Sequence, residues 1–572
     1  MQLLCVKCNS NKDVRTVIGR MTRLECGHLI VSPRIEEPEQ IQAEIVKEIE
    51  EELATQPIIP KPTFDPTCFH NRKTKHVPYP FQLKGIQFAI DNAFKVLIAD
   101  EQGLGKTVQA IGVLKWAYDN CYDQVFPVLG LVKSNSKMQW MVQLLNWGGM
   151  DFIPQIIEDG KDYLAAGFNI YLASYDILRR FSTKTTVTMK SKWGHEYETT
   201  KKENPFYDFP FKTVIMDEVQ AIKGESQRTE EVKRICEGKN VIALSGTPIK
   251  NSAAEYYTIL HILNPNKFPT RQGYLDYWVK TEVSNSGTLK YTGIKYPQDF
   301  ADFTKDMIIR RTREQVKEEI GLTVTKANRI FYNVDFENDK MKALYLAAEA
   351  EFIREMENNT RNKNPVEMIA RLSVARHLVG LNKIQPTVDL AIEFLLENPT
   401  GKLVIFVHHQ DVMDAIHVLL ARWCQDGGYE IPLKYHSGLG SQERFEMIAK
   451  YAETKSIPFL IGSTIAMGEA VDRLQEVCND CIVAERQWNP ANEEQAESRL
   501  IRIGQTKTFV NATYPTVIDT VDEYFTDIVE GKRRSMKETL DGEAVEWDEG
   551  SLMTALYDAI KAKGRKKIKR GF

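Results

Sequence analysis

Val96–Gln109 reads VLIADEQGLGKTVQ, and this stretch decides the fold. The apolar run Val96-Leu97-Ile98-Ala99 predicts a short buried strand that stops at a loop holding Gly103 and Gly105. Beyond it, Ile111, Leu114 and Tyr118 recur at three- and four-residue spacing, the mark of a helix with one apolar face. A strand, a glycine-bearing loop and a helix N-terminus make an anion site, because their amides converge on one point. Gly103, Leu104, Gly105, Lys106 and Thr107 are the expected phosphate loop. Lys106 reaches the outer phosphates of a nucleotide, and the Thr107 hydroxyl ligates its magnesium. The spacing GxxxxGK[ST] is broken at one place: Asp100 stands where the first glycine belongs.

A second apolar run, Lys212–Glu218 (KTVIMDE), ends in two carboxylates. Nucleoside triphosphatases hold magnesium with an acid at the end of a neighbouring strand, which makes Asp217 the expected ligand. Glu218 is then the residue that orients or deprotonates the attacking water. Further on, Glu494–Gln505 (EQAESRLIRIGQ) sets Arg499 and Arg502 three apart on one helical face. One or both can supply positive charge to a transferring phosphoryl group. They lie too far from Asp217 for one core, since a core seldom grows past about 250–300 residues. The nucleotide is therefore expected between two domains, with ATP and Mg2+ as the ligands.

The ordered set ADEQGLGKTVQAI, YLASYDILR, VIMDEVQAIK, VIALSGTPIKNS, MIIRRTREQV, KLVIFVHH, QWNP and QAESRLIRIGQ resembles the Swi/Snf-type ATPases of helicase superfamily two. The resemblance covers roughly residues 79–534, and KLVIFVHHQDVMDAI with IVAERQWNP is most similar to the HARP-type (HepA-related) annealing helicases. It implies that Gln82 reads adenine, and that Ser245 and Thr247 couple the nucleotide site to a DNA track. It assigns Gln495, Arg499 and Arg502 to the closing motif with its arginine fingers. Gln220 stands where the family has the histidine of its DEAH box, and Asp100 is what the family itself carries. Ser463–Leu474 (STIAMGEAVDRL) departs most: Met467, Glu469, Ala470, Asp472 and Arg473 replace a glycine-rich loop ending in Asn-Leu.

A chain of 572 residues with 43% hydrophobic content can bury two or more cores. No apolar run reaches eighteen residues, and the start lacks a signal peptide's pattern, so an intracellular protein of the cytoplasm or nucleoid (nucleus if eukaryotic) is expected, with no membrane partner. Net charge is −4, unlike most nucleic-acid binders, which calls for a basic track on an acidic body. Arg310–Arg313 and Lys532–Arg534 are the candidate clusters. Nine cysteines without a secretory signal argue for thiols or metal. Cys5, Cys8, Cys26 and His28 carry the ligand set and spacing of a structural Zn2+ site. Cys478 and Cys481 lead into an apolar strand and are expected in the core.

The expected fold is α/β: two RecA-like domains with mostly parallel sheets, plus a small N-terminal zinc-ribbon-like module. The divisions are a zinc-binding module over 1–35, an acidic and proline-rich linker over 36–75 and a first RecA-like domain over 76–320. A helical connection over 321–395 is expected to bridge to the second RecA-like domain over 396–540, followed by a tail over 541–572 with a basic end. A polar stretch over 179–208 reads as a loop or hairpin. The expected function is DNA-dependent ATP hydrolysis that drives translocation on, or remodelling of, duplex or forked DNA, in repair, recombination or at replication forks, with a protein partner to recruit it. The alternatives are a strand-separating helicase and a DNA-bound scaffold that closes on ATP without turnover.

Overall fold

The computed structural model describes residues 63–158, 162–180, 183–190, 196–203, 205–222, 226–246, 253–283, 289–358, 365–487 and 490–526, together with 530, 557, 560 and four strands within 2–31. Two parallel sheets organise these residues. The first runs, edge to edge, Ile308–Ile309, Lys95–Ile98, Asn240–Leu244, Thr213–Asp217, Val128–Val132, Ile170–Ser174 and Pro154–Ile156. Every pairing in it is parallel. Strands covered on both faces need apolar side chains at successive positions, and VLGLV, IYLAS and TVIMD provide them. Alternation sorts these between two cores. Leu97, Leu129, Leu131, Val214 and Met216 enter one, while Val96, Ile98, Val128, Ile215 and Ile242 enter the other. Helix Lys106–Asn120 closes the second with Ile111, Val113 and Leu114, and helix Gln227–Cys236 closes the first with Val232 and Ile235. Each such side chain stabilises by roughly 1.5–3 kcal/mol, so the strands hold the frame and the polar loops at their ends are free for chemistry.

Register decides which loops meet. Asp217 lies opposite Leu244, and Leu244 opposite Ile98. The residues that follow these strands, Ala99–Lys106, Glu218–Gln220 and Ser245, therefore gather on one edge.

The second sheet runs Asn328–Val334, Asn511–Val517, Asp480–Val483, Leu403–Val407, Phe459–Ser463, Leu433–Tyr435, again with every pairing parallel. Val404, Phe406, Leu460, Cys481 and Tyr514 fill one face, and Leu403, Ile405, Phe459, Ile461 and Ile482 the other. The expected α/β class with two parallel sheets is thus what the chain adopts. Cys478 and Cys481 are both buried, as expected of core residues.

Helices Asp339–Asn358, Pro365–Asn382 and Ile384–Glu397 occupy the stretch read as a helical connection. Their core partners belong to the second lobe: Tyr345, Phe352 and Val379 pack with Val334, Val517 and Phe525, and Val388 and Leu395 with Leu403 and Ile405. They are a cover for the second lobe, and strand Asn328–Val334 joins that lobe ahead of them. The polar stretch after Arg180 contains a hairpin, Thr183–Lys190 with Glu196–Glu203. No described helix is long and apolar enough to cross a membrane.

At the N-terminus, Gln2–Cys5, Ser10–Ile18, Met21–Leu24 and Leu29–Val31 form an antiparallel meander. Of the expected zinc ligands, Cys8, Cys26 and His28 lie outside the described residues, and for Cys5 only the strand is described. Residues 36–62 of the expected linker and the basic end 564–572 lie outside them too, while 63–75 are described and Phe69 there packs into the first lobe's core.

Candidate active site in the cleft between the lobes

A cleft of about 700 Å³ is lined from the first lobe by Gln82, Gly103, Gly105, Lys106, Thr107, Asp217 and Glu218, and from the second by Asp472, Arg499 and Arg502. Three motifs that the sequence holds far apart thus share one space. Helix Lys106–Asn120 begins at the lysine itself, with Gly105 before it at φ 74° and Gly103 at φ 84°. Both are left-handed, a conformation glycine takes freely and other residues rarely. At Gly103 there is also no room: a Cβ would lie 2.9 Å from Arg502 Cγ and 3.1 Å from the Ile501 carbonyl oxygen. Leu104 turns its side chain away to Phe81 and Val316.

Lys106 Nζ donates to the Asp100 carbonyl at 2.9 Å. Burial lowers its pKa, and Glu218, Asp100 and Asp217 oppose that shift. A cation so placed is ready to exchange a carbonyl for a phosphate oxygen.

Asp217 accepts a hydrogen bond from Trp140 Nε1 at 2.7 Å, and its carbonyl accepts one from the Tyr175 hydroxyl at 2.8 Å. Burial, and then the neighbouring Glu218, push its pKa up to about 6; the Trp140 bond and Lys106 pull the other way. Glu218 has φ 51°, an unfavourable left-handed conformation for a glutamate and one that recurs where function demands strain. The Gln220 side-chain amide donates to Glu218, and its Oε1 accepts from Ser245 Oγ at 2.7 Å. Gln220 is therefore a bridge from the acid pair to the end of the adjacent strand. Ser245 is fully buried there, while Thr247 lies outside the described residues.

Gln82 lines the cleft beside Gly105 of the phosphate loop. Its Oε1 accepts from the Tyr79 backbone at 3.0 Å and its Nε2 donates to the Leu104 carbonyl at 3.0 Å. A primary amide has two donors and two acceptor sites, so one of each is left beyond these two bonds. His76 and Tyr79, with ring centroids 4.7 Å apart, line the same cleft.

The two arginines lie in turns just past helix Pro490–Glu497, not on the helical face expected of them, and they differ in what they hold. Arg499 donates from Nε to the Gly468 carbonyl at 2.9 Å and from Nη1 to the Val471 carbonyl at 3.1 Å, stapling the end of helix Thr464–Ala470 in the divergent stretch. Arg502 extends over the phosphate loop and donates from Nη1 to Asp472 Oδ1 at 3.0 Å. Gln495 is buried beneath them, and its carbonyl accepts from Ser498 Oγ at 2.8 Å. Ser498 also reaches Gln102 Oε1 across the cleft at 2.8 Å.

The cluster Arg310–Arg313 corrects an expectation. Arg311 gives Nε and Nη2 to the two oxygens of Asp100, at 2.8 and 2.6 Å. Arg313 pairs with Glu101 at 2.8 Å and reaches the Ile501 carbonyl at 3.4 Å, and Arg310 reaches the Ala99 carbonyl at 3.3 Å. A buried carboxylate at the root of the phosphate loop needs a counter-charge, and Arg311 turns inward to meet it; Arg313 is buried beside Glu101, while Arg310 stays exposed, so the cluster as a whole is not a surface track. The sequence missed Trp140 and this clamp; the signal for the clamp was Asp100, an acid in a glycine's place.

The model of the SNF2-related domain matches residues 81–378, just over half of the chain, and that of the helicase conserved C-terminal domain matches residues 386–504. The chain is similar to the DNA annealing helicase and endonuclease ZRANB3 of Bos taurus, 24% identical over 82% of this chain and 41% of that protein. It is also similar to the SWI/SNF-related matrix-associated actin-dependent regulator of chromatin subfamily A-like protein 1 of Xenopus laevis, 25% identical over 79% of this chain and 43% of that one. It therefore spans under half the length of these curated relatives. Among solved structures, the Sulfolobus solfataricus SWI2/SNF2 ATPase core in complex with dsDNA is 21% identical, covering 83% of this chain and 94% of that one, with a TM-score of 0.37. With both lobes matched in order and the cleft assembled between them, the chain belongs to the SNF2-related family.

Proposed function

We propose that this chain hydrolyses ATP in the cleft, and that closure of the two lobes on the nucleotide drives movement along, or remodelling of, duplex or branched DNA. The observation that carries this reading is the meeting of Lys106, the Asp217–Glu218 pair and Arg502 around one cleft, contributed by two lobes. Lys106 and the loop amides bind the phosphates, and Gln82 offers its remaining amide valences to adenine. Thr107 and Asp217 would hold Mg2+, which neutralises charge on the phosphates when bound. Glu218, oriented by Gln220, takes the proton of the attacking water. Arg502 supplies charge to the transferring phosphoryl group. Arg499 keeps the stretch under it in shape. An annealing rather than strand-separating activity follows from the likeness to ZRANB3, whose name records an annealing helicase. Such work is done where DNA is held, in a nucleoid or nucleus.

We also propose that Cys5, Cys8, Cys26 and His28 bind one structural zinc. The meander supports it in direction: strands Gln2–Cys5 and Met21–Leu24 both run antiparallel to Ser10–Ile18 and so point the same way, with Cys5 opposite Ser10 and Leu24 opposite Val14. Metal analysis should find one zinc per chain, lost in Cys26→Ser.

Lys106→Ala tests the main reading. It should abolish ATP turnover while the variant melts like the parent; full activity in it would rule the site out.

A further inference from the structure

Asp472 lies in the loop where this chain departs most from its family's pattern, and its carboxylate meets Arg502 in the cleft. The guanidinium is held at that end by Asp472, while Arg502 Nε is shut from solvent with no hydrogen-bond partner. Asp472 also accepts from Gln475 Nε2 and, from the other lobe, Gln139 Nε2, each at 3.4 Å. Gln139 precedes Trp140, whose indole holds Asp217. One helix, Lys137–Gly148, thus touches both the candidate magnesium ligand and the counter-ion of Arg502. Arg502 packs over Gly103 of the phosphate loop and lines the same cleft as Lys106, close enough to disfavour the lysine's charge, so an anion position beside that loop lies between two cations.

A terminal phosphate in that position and the Asp472 carboxylate compete for one guanidinium. Phosphate offers arginine two parallel hydrogen bonds and more charge. The Asp472 pair offers one contact, with the side chains 14% and 31% exposed for Arg502 and Asp472. A single contact is weaker than the two parallel bonds a phosphate can make, so this half-buried pair restrains without blocking.

Resting on the ATPase reading above, we propose that Asp472 is a positioning residue that competes with the terminal phosphate for Arg502, restraining turnover until nucleic acid draws the lobes together. The carboxylate sets the rate of idle hydrolysis, and the cross-lobe contact to Gln139 makes that restraint depend on how the lobes sit.

The test measures kcat and KM for ATP in the full chain, with and without saturating duplex DNA, for the parent, Asp472→Asn and Asp472→Glu. Asp472→Asn keeps the shape and loses the charge. It should raise the DNA-free kcat about fivefold, the scale of a partly exposed pair. KM should stay within about twofold and the duplex-stimulated rate near the parent's, so that the stimulation ratio falls. Asp472→Glu should restore the restraint. A merely structural role would lower both rates together, and that result, or an unchanged DNA-free rate, overturns the proposal. If Asp472→Asn melts early, Gln139→Ala is read in the same assay; it leaves both charges in place and should raise the DNA-free rate, and no rise there overturns the proposal too. A parent without turnover in either arm sinks the ATPase reading and the restraint with it. A parent that turns over beside an unresponsive Asp472→Asn sinks the restraint alone.

Discussion

Asp100 and Arg311 form a two-pronged ion pair with Nε 2.8 Å from Oδ1 and Nη2 2.6 Å from Oδ2, and no part of the Asp100 side chain is exposed. The pair fastens the root of the phosphate loop to the edge strand Ile308–Ile309, which Arg311 closely follows. Gln109 completes it from the helix, donating to Asp100 Oδ2 at 2.8 Å. The loop is thus anchored at its base by charge, where a glycine would have left it to the backbone alone.

Breaking that anchor should be costly. Arg311→Ala leaves a buried carboxylate unpaired and should destabilise the first lobe by about 3–5 kcal/mol in urea unfolding. Arg311→Lys should recover only part of this, because an ammonium cannot match two oxygens at once. A loss under about 1 kcal/mol in Arg311→Ala, the scale of an exposed pair, would mean the anchor is not what holds the loop.

The two cleft arginines should separate by assay. Arg502→Ala is expected to cut kcat by on the order of 10³-fold, the scale of a lost arginine finger, with little change in melting temperature. Arg499→Ala strands the Gly468 and Val471 carbonyls and should lower the melting temperature of the second lobe. If Arg499→Ala keeps its stability and Arg502→Ala loses it, the roles are reversed.

Gln220 orients Glu218, so Gln220→Ala should lower kcat by about 10–100-fold, as loss of an orienting partner does elsewhere, while nucleotide affinity holds. Gln220→His keeps a hydrogen-bonding ring at the position and should retain more activity than alanine. Equal rates in all three proteins would remove Gln220 from the mechanism.

Asp217 makes the site sensitive to pH. Its pKa rises from 3.8 to about 6 in the folded protein, so the fold prefers it neutral. Its ionisation therefore costs stability above the unfolded value, increasingly up to about pH 6 and fully beyond. Asp217→Asn removes that cost: it should raise the melting temperature at pH 8 and do so far less at pH 4. In the parent, magnesium-dependent nucleotide binding should weaken as pH falls through about 6, because a protonated carboxyl is a poor ligand. An equal stabilisation at both pH values would contradict this assignment.

What the sequence made legible was local. The phosphate loop, the Asp217–Glu218 pair and the Arg499–Arg502 segment each carry their chemistry within a dozen residues, and sheet and cleft followed from them. What stayed hidden depends on pairings set by sheet register. Nothing near Arg311 says that it faces Asp100, and nothing near Gln220 says that it reaches Ser245. Strand Asn328–Val334 is a mostly exposed edge, NRIFYNV, and carries no clear alternation of apolar and polar residues to mark it. The helices after it carry an apolar face that fits a lobe cover as well as a bridge. The choice between them lies in Val334, Val517 and Phe525, most of it far downstream.

The most direct measurement is the ATP hydrolysis rate of the full chain without nucleic acid, with single strands, with duplex and with a forked substrate, each at two salt concentrations. Stimulation by duplex or fork that weakens as salt rises, through release of counterions from phosphate contacts, is the predicted result. A rate that no nucleic acid changes at either salt concentration would contradict a motor that runs on DNA.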